Sequence, residues 1–132
     1  MKFNLLIPEL SVKNLDVSKK FYLEILGFTL EYERVEDNFA FISYDGAQIM
    51  LEQINGNWVT GDLAYPFGRG VNFQIKTDYL DVLREKIIMN GYQLFKNVYE
   101  ASYRECDIVH KVKEFLVQDP DGYLLRFSQM IR

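Results

Sequence analysis

The sequence predicts an α+β fold built from two βαβββ modules, and two observations carry that expectation. The first is a pair of amphipathic helices that start and stop at a common spacing. Asn14 and Asp78 stand 64 residues apart as candidate caps, and Gly27 and Gly91 stand 64 apart as candidate stops. The second is a hairpin signal near the end of the chain. Two apolar runs, Lys113–Gln118 and Tyr123–Gln129, flank Asp119-Pro120-Asp121-Gly122, where proline presets φ and glycine accepts a positive φ. A repeat of this kind cannot bury its sheet face alone, so the modules, about 1–56 and 67–132, are expected to pack into a single domain joined by a loop.

The elements follow in order. Leu5 to Val12 reads as a first strand, with Pro8 near its start favouring an edge or an exchanged arm, because proline has no N–H to donate. Asn14 caps a helix whose apolar positions Leu15, Val17, Phe21, Tyr22, Ile25 and Leu26 have the spacing of one buried face. Phe28 to Val35, Phe39 to Tyr44 and Ala47 to Gln53 are strands, separated by turns at Asp37-Asn38 and Asp45-Gly46. Ile54 to Gly70, rich in Gly and Asn, is a long loop carrying the only tryptophan, Trp58. The second pass has a strand at Val71 to Lys76, a helix capped by Asp78 with Leu80, Leu83 and Ile87 inward, and a strand at Leu94 to Tyr99. An irregular polar stretch, Glu100 to Lys111, then precedes the terminal hairpin. On the last strand Tyr123, Leu125 and Phe127 alternate with Leu124, Arg126 and Ser128, so Arg126 projects from the more polar face.

Composition narrows the function classes. With 132 residues, 48% hydrophobic and 26% charged, the chain is long enough for a real core and is neither disordered nor fibrous. A net charge of -4 argues against nucleic acid and suits a cationic small molecule. No apolar run approaches a membrane span, and the N-terminal run is too short for a signal peptide. The lone Cys106 excludes an intrachain disulfide and fits a reducing cytoplasm. The sole histidine, His110, has no Ser, Cys or Asp partner at a triad spacing, and Gly68-Arg69-Gly70 precedes a strand rather than the helix a phosphate loop needs.

Lys20-Phe21-Tyr22-Leu23-Glu24-Ile25-Leu26-Gly27-Phe28 and Asp119-Pro120-Asp121-Gly122-Tyr123 resemble the first-helix motif and last turn of the vicinal oxygen chelate superfamily, which includes glyoxalase I, extradiol dioxygenases and bleomycin resistance proteins. The resemblance implies curled mixed sheets forming a cleft, commonly completed by a second subunit. It also implies four metal-ligand positions, which here fall on Ile7, Glu52, Val71 and Arg126. Hydrocarbon cannot coordinate a cation and a guanidinium repels one, so the expectation is a site without metal or other cofactor. There Arg126 is able to pair with Glu52 in the space an ion would take.

Among metal-free branches the chain is similar to the bleomycin resistance proteins, through Leu26-Gly27-Phe28, Val35 to Ala40 and Lys113 to Pro120. That likeness implies a cytoplasmic homodimer that sequesters a planar, cationic antibiotic without catalysis. Phe39 would stack on the ligand, although a phenylalanine there is also ordinary core. Lys111 holds the place of a second stacking ring, a tryptophan in some members, leaving Trp58 or Tyr103 to supply it. Trp58 is equally suited to anchoring an interface. Glu52, with Glu36 and Asp37, would draw a cationic tail. The alternative is a metal-dependent glyoxalase- or dioxygenase-type lyase or oxidoreductase of the same superfamily, and a protein-interaction module is a third possibility.

Overall fold

A computed structural model describes every residue, Met1–Arg132, and the chain divides into two compact units, Met1–Phe67 and Gly68–Arg132. Each is a βαβββ module, as the sequence predicts. The first runs β1 (Glu9–Val12), α1 (Leu15–Lys19, continuing as a π-helical segment over Lys20–Ile25), β2 (Thr29–Arg34), β3 (Phe39–Tyr44) and β4 (Ala47–Gln53). The second runs β5 (Asn72–Lys76), α2 (Leu80–Met89), β6 (Lys96–Glu105), β7 (Ile108–Gln118) and β8 (Leu124–Met130). Their sheets have the same order, β1-β4-β3-β2 and β5-β8-β7-β6. In each the first strand lies parallel to the last, and the remaining pairs are antiparallel.

In the first unit strand alternation places Leu10 and Val12 of β1, Ala40 and Ile42 of β3, and Ile49 and Leu51 of β4 on one face of the sheet. All six are buried, together with Leu15, Phe21, Tyr22, Ile25 and Leu26 of the helix. The second unit repeats this with Ile75, Phe115, Val117, Leu125 and Phe127 on the sheet and Leu80, Leu83 and Ile87 on the helix. Val17, expected inward, is 49% exposed, and Ser18 takes the buried place.

The helix ends differ instructively. Asn14 caps α1 as predicted, its Oδ1 accepting from the Val17 N–H at 3.2 Å. Asp78 does not cap α2: the cap position is Tyr79, which makes no side-chain cap bond. The first N–H of each helix is instead satisfied from the end of its unit's last strand. Leu15 N donates to Gln53 Oε1 at 3.0 Å, and Leu80 N to Gln129 Oε1 at 2.9 Å. Leu15 and Leu80 stand 65 apart while the stops Gly27 and Gly91, both at positive φ, stand 64 apart. The first helix therefore holds one more residue, and its π segment is where that residue goes. The closing bond spans six residues there, Phe28 N to Tyr22 O, against five in the second, Tyr92 N to Ile87 O.

Three other expectations need correction. Glu100 to Lys111 is not irregular, because β6 and β7 form a long hairpin through it with a turn at Cys106, which has φ 53. Its side chains are polar and largely exposed, so the hydrophobic alternation that reveals a half-buried strand is missing. Leu5 to Pro8 is not strand. Just before it, Asn4 is fastened to β4 and its preceding turn, Asn4 N donating to Gln48 Oε1 and Asn4 Nδ2 to the Gly46 carbonyl, both at 2.8 Å. Pro8 gives its carbonyl to Met50 N at 2.9 Å but has no N–H to continue the ladder. Val71, likewise, precedes β5 rather than starting it.

The terminal hairpin is as predicted. Asp119 Oδ1 accepts from both Asp121 N and Tyr123 N at 2.9 Å, and Gly122 has φ 97. Gly68 lies against this turn, where a Cβ would come within 2.6 Å of the Tyr123 ring.

Replacing Gln129 or Gln53 by Ala is expected to cost about 1 kcal/mol, since each leaves a helix N–H without its partner. Urea denaturation of each variant measures this.

Candidate functional site

The sheet face opposite the helix carries the chemistry in both units. In the first unit that face presents Tyr32 and Arg34 from β2, Phe39 and Phe41 from β3, Met50 and Glu52 from β4, and Glu9 from β1, as the register sets them side by side. Tyr32 stacks on Phe41 at 5.2 Å between centroids with 14° between planes, and lies 6.0 Å from Phe39. The Arg34 guanidinium carbon sits 4.0 Å from the Phe39 ring centroid while its Nε donates to Asp37 Oδ2 at 2.9 Å. Phe39 is only 2% exposed, so it is not an open stacking platform as it stands. Glu52 lies directly across from Phe39 and accepts from Asn55 Nδ2 at 2.9 Å. Burial, together with the neighbouring Glu52 carboxylate, pushes the Glu9 carboxyl above its ordinary range, with Arg34 opposing in part.

In the second unit the same face holds a buried carboxylate. Glu114 of β7 is fully buried, and its Oε1 accepts from two phenols, Tyr99 at 2.8 Å and Tyr103 at 2.7 Å. Its other oxygen, Oε2, has no hydrogen-bond partner. Arg126 of β8 comes within 3.8 Å of that oxygen through Nη1, too far for a hydrogen bond. Its guanidinium is instead fixed by Nε donating to Asn72 Oδ1 at 3.1 Å and Nη1 donating to the Tyr103 hydroxyl at 3.3 Å. Burial raises the Tyr99 phenol to about 12, helped by its bond to the Glu114 carboxylate. The bond to Glu114 is the main cause of a raised value at Tyr103, with Arg126 pulling the other way.

Tyr103 and Arg126 thus meet in one network, and Phe39 and Glu52 meet across β3 and β4. Trp58 stands in the loop after β4, 74% exposed at φ 61. Lys111 is exposed and shares the alternation of Lys113 and Phe115, the face opposite Glu114. His110 Nε2 pairs with Glu105 Oε1 at 2.8 Å in the hairpin, beside the exposed Cys106. Glu114, Tyr99 and Asn72 went unrecognised in the sequence. The available signal was Glu114 itself, a carboxylate between the apolar Val112 and Leu116 on one face of β7, in phase with Arg126 across the hairpin.

A divalent ion does not fit the residues present. Of the four positions that metal-dependent members use, Ile7 and Val71 offer hydrocarbon, Arg126 offers a cation, and only Glu52 offers oxygen. No three His, Cys, Asp or Glu side chains gather where they could hold an ion.

Two βαβββ modules with this strand order make up the glyoxalase/bleomycin resistance fold. A solved glyoxalase/bleomycin resistance protein/dioxygenase from Alicyclobacillus acidocaldarius shares it, with TM-score 0.68, 18% identity, and coverage of 98% of this chain and 92% of that one. So does TioX from Micromonospora sp. ML1, with TM-score 0.74, 14% identity, and coverage of 98% and 100%. A glyoxalase/bleomycin resistance protein/dioxygenase superfamily member from Vibrio splendidus 12B01 is 33% identical over 95% of this chain and 97% of its own, with TM-score 0.45. What the chain shares with the Alicyclobacillus protein and TioX is the fold, that of the glyoxalase/bleomycin resistance protein/dioxygenase proteins. No family sequence model and no curated protein matches it. No helix is long and apolar enough to cross a membrane.

Because Tyr99 holds its proton more tightly folded than unfolded, its contribution to stability is present below the ordinary phenol value of about 10 and is lost as pH rises towards about 12. Alkaline titration of tyrosinate absorbance is expected to show one late phenol. Glu114→Gln should bring it part of the way down, since burial persists when the charge is removed.

Proposed function

We propose that the chain is a metal-free binding protein that sequesters a planar, cationic small molecule of the bleomycin type, acting as a cytoplasmic homodimer and conferring drug resistance. The observation that carries this reading is Arg34 on Phe39. A planar cation already occupies the ring face at 4.0 Å, so the surface has the quadrupole and the flatness such a ligand needs. Glu52 lies beside that ring in the register, and Glu9 follows on the adjoining strand. Burial is the main cause of the raised Glu9 value and the Glu52 carboxylate adds to it, and a ligand cation beside the two carboxyls would oppose both. In this reading the ligand displaces Arg34, which retains Asp37 as its partner, and Trp58 of the same unit supplies a second ring. Capture requires no catalytic group. The metal-dependent alternative requires donors that three of its four positions lack.

Titrating the purified protein with bleomycin, followed by heat and by the fluorescence of the single Trp58, is expected to give saturable binding. No heat at high micromolar ligand would rule bleomycin out. Phe39→Ala should weaken binding at least about tenfold. Arg34→Ala should leave it unchanged or tighter, because the ring is then vacant. Affinity for a cationic ligand should rise with pH through the elevated Glu9 value, as that carboxyl ionises later than an ordinary one.

A further inference from the structure

We propose that the gap between Glu114 Oε2 and Arg126 Nη1 in the second unit is a binding site for a neutral amide group, whose N–H donates to the carboxylate oxygen and whose carbonyl accepts from the guanidinium. The site lies in the second unit alone and stands whether or not Phe39 receives a cation.

Glu114 is fully buried, and a buried carboxylate oxygen without a donor is costly enough that native structures rarely leave one. The missing partner is not available from the two phenols, since both are committed to Oε1. Nor does Arg126 supply it. Asn72 and Tyr103 hold the guanidinium so that Nη1 stops 3.8 Å from Oε2. The result is an acceptor and a donor side by side, separated by a gap that a planar amide can bridge with one hydrogen bond to each.

Charge selects the ligand class. The carboxylate and the guanidinium neutralise each other, so a neutral group enters without leaving net charge in a dry site. A cation would face Arg126 and an anion would face Glu114. Glu114 Oε2 is itself shut off from solvent, so Tyr103, 41% exposed, and Arg126, with 26% of its side chain exposed, form the edge that must give way for a ligand group to reach it.

Benzamide, benzamidinium and benzoate share ring and shape and carry zero, positive and negative charge, so they separate the possibilities. Each is titrated at millimolar concentration into the isotopically labelled full chain, and the backbone amides of Tyr99, Tyr103, Glu114 and Arg126 are followed by NMR. Benzamide should shift these signals saturably, with the two ions at least about tenfold weaker. Arg126→Gln leaves the carboxylate uncompensated and should reverse the preference towards benzamidinium. Glu114→Gln leaves the guanidinium uncompensated and should reverse it towards benzoate. If Glu114→Gln does not fold, the Arg126→Gln reversal decides the matter, and if that variant also fails to fold, the order of the three probes on the unmodified protein decides it. The proposal is overturned if benzamide gives no saturable shift at these residues, if either ion binds the unmodified protein as well as benzamide, or if Arg126→Gln leaves the order of the three probes unchanged.

Discussion

Each unit is closed by the same constraint, the parallel pairing of its first and last strands, and a glutamine at the end of the last strand turns that pairing into a fixed three-dimensional arrangement. Parallel neighbours cannot be joined by a tight turn, so a helix must intervene and must begin close to where the last strand ends. Gln53 and Gln129 meet that requirement directly by accepting from the first N–H of α1 and of α2. Strand register, helix entry and the choice of which sheet face is covered are therefore linked. Once Gln53 points to the helix side, Glu52 must point to the other, and Gln129 likewise sets Arg126 and Ser128 on the uncovered face through the alternation of β8.

The two uncovered faces have diverged in chemistry on a common frame. One is aromatic with acidic neighbours, and its own arginine lies on its central phenylalanine. The other is built around a single buried carboxylate that two phenols and a guanidinium surround without saturating. Burying a charge costs several kcal/mol unless hydrogen bonds offset it, and here they do so for one oxygen only. The guanidinium at Arg126 stands 3.8 Å from the uncompensated oxygen and balances the charge of Glu114.

Much of the fold was legible because it rests on local rules. Gly27 and Gly91 at the helix stops, Asp45-Gly46 between β3 and β4, and Asp119 to Gly122 before β8 are turn chemistries whose φ requirements few residues meet. What escaped is non-local. The capping of α2 by Gln129 joins residues 49 apart, and nothing near Asp78 indicates that its carboxylate is not needed. The β6–β7 hairpin escaped for a different reason: with both sides exposed near its tip, it carries no hydrophobic period to read. At the sites, the metal-ligand positions could be checked from residue types alone. The partner of Arg126 could not, because Glu52 and Glu114 are both carboxylates on plausible strands and only the register separates them.

The π segment of the first helix shows where this architecture has slack. An odd insertion in a strand would turn every following side chain over, exchanging the inner row for the outer and undoing both faces at once. The widened turn over Lys20–Ile25 takes up a single surplus residue by winding, and the register shift between Leu30 and Tyr32 takes up another in β2 as a bulge. A surplus residue in this unit is thus absorbed where it falls, and the aromatic face downstream keeps its order.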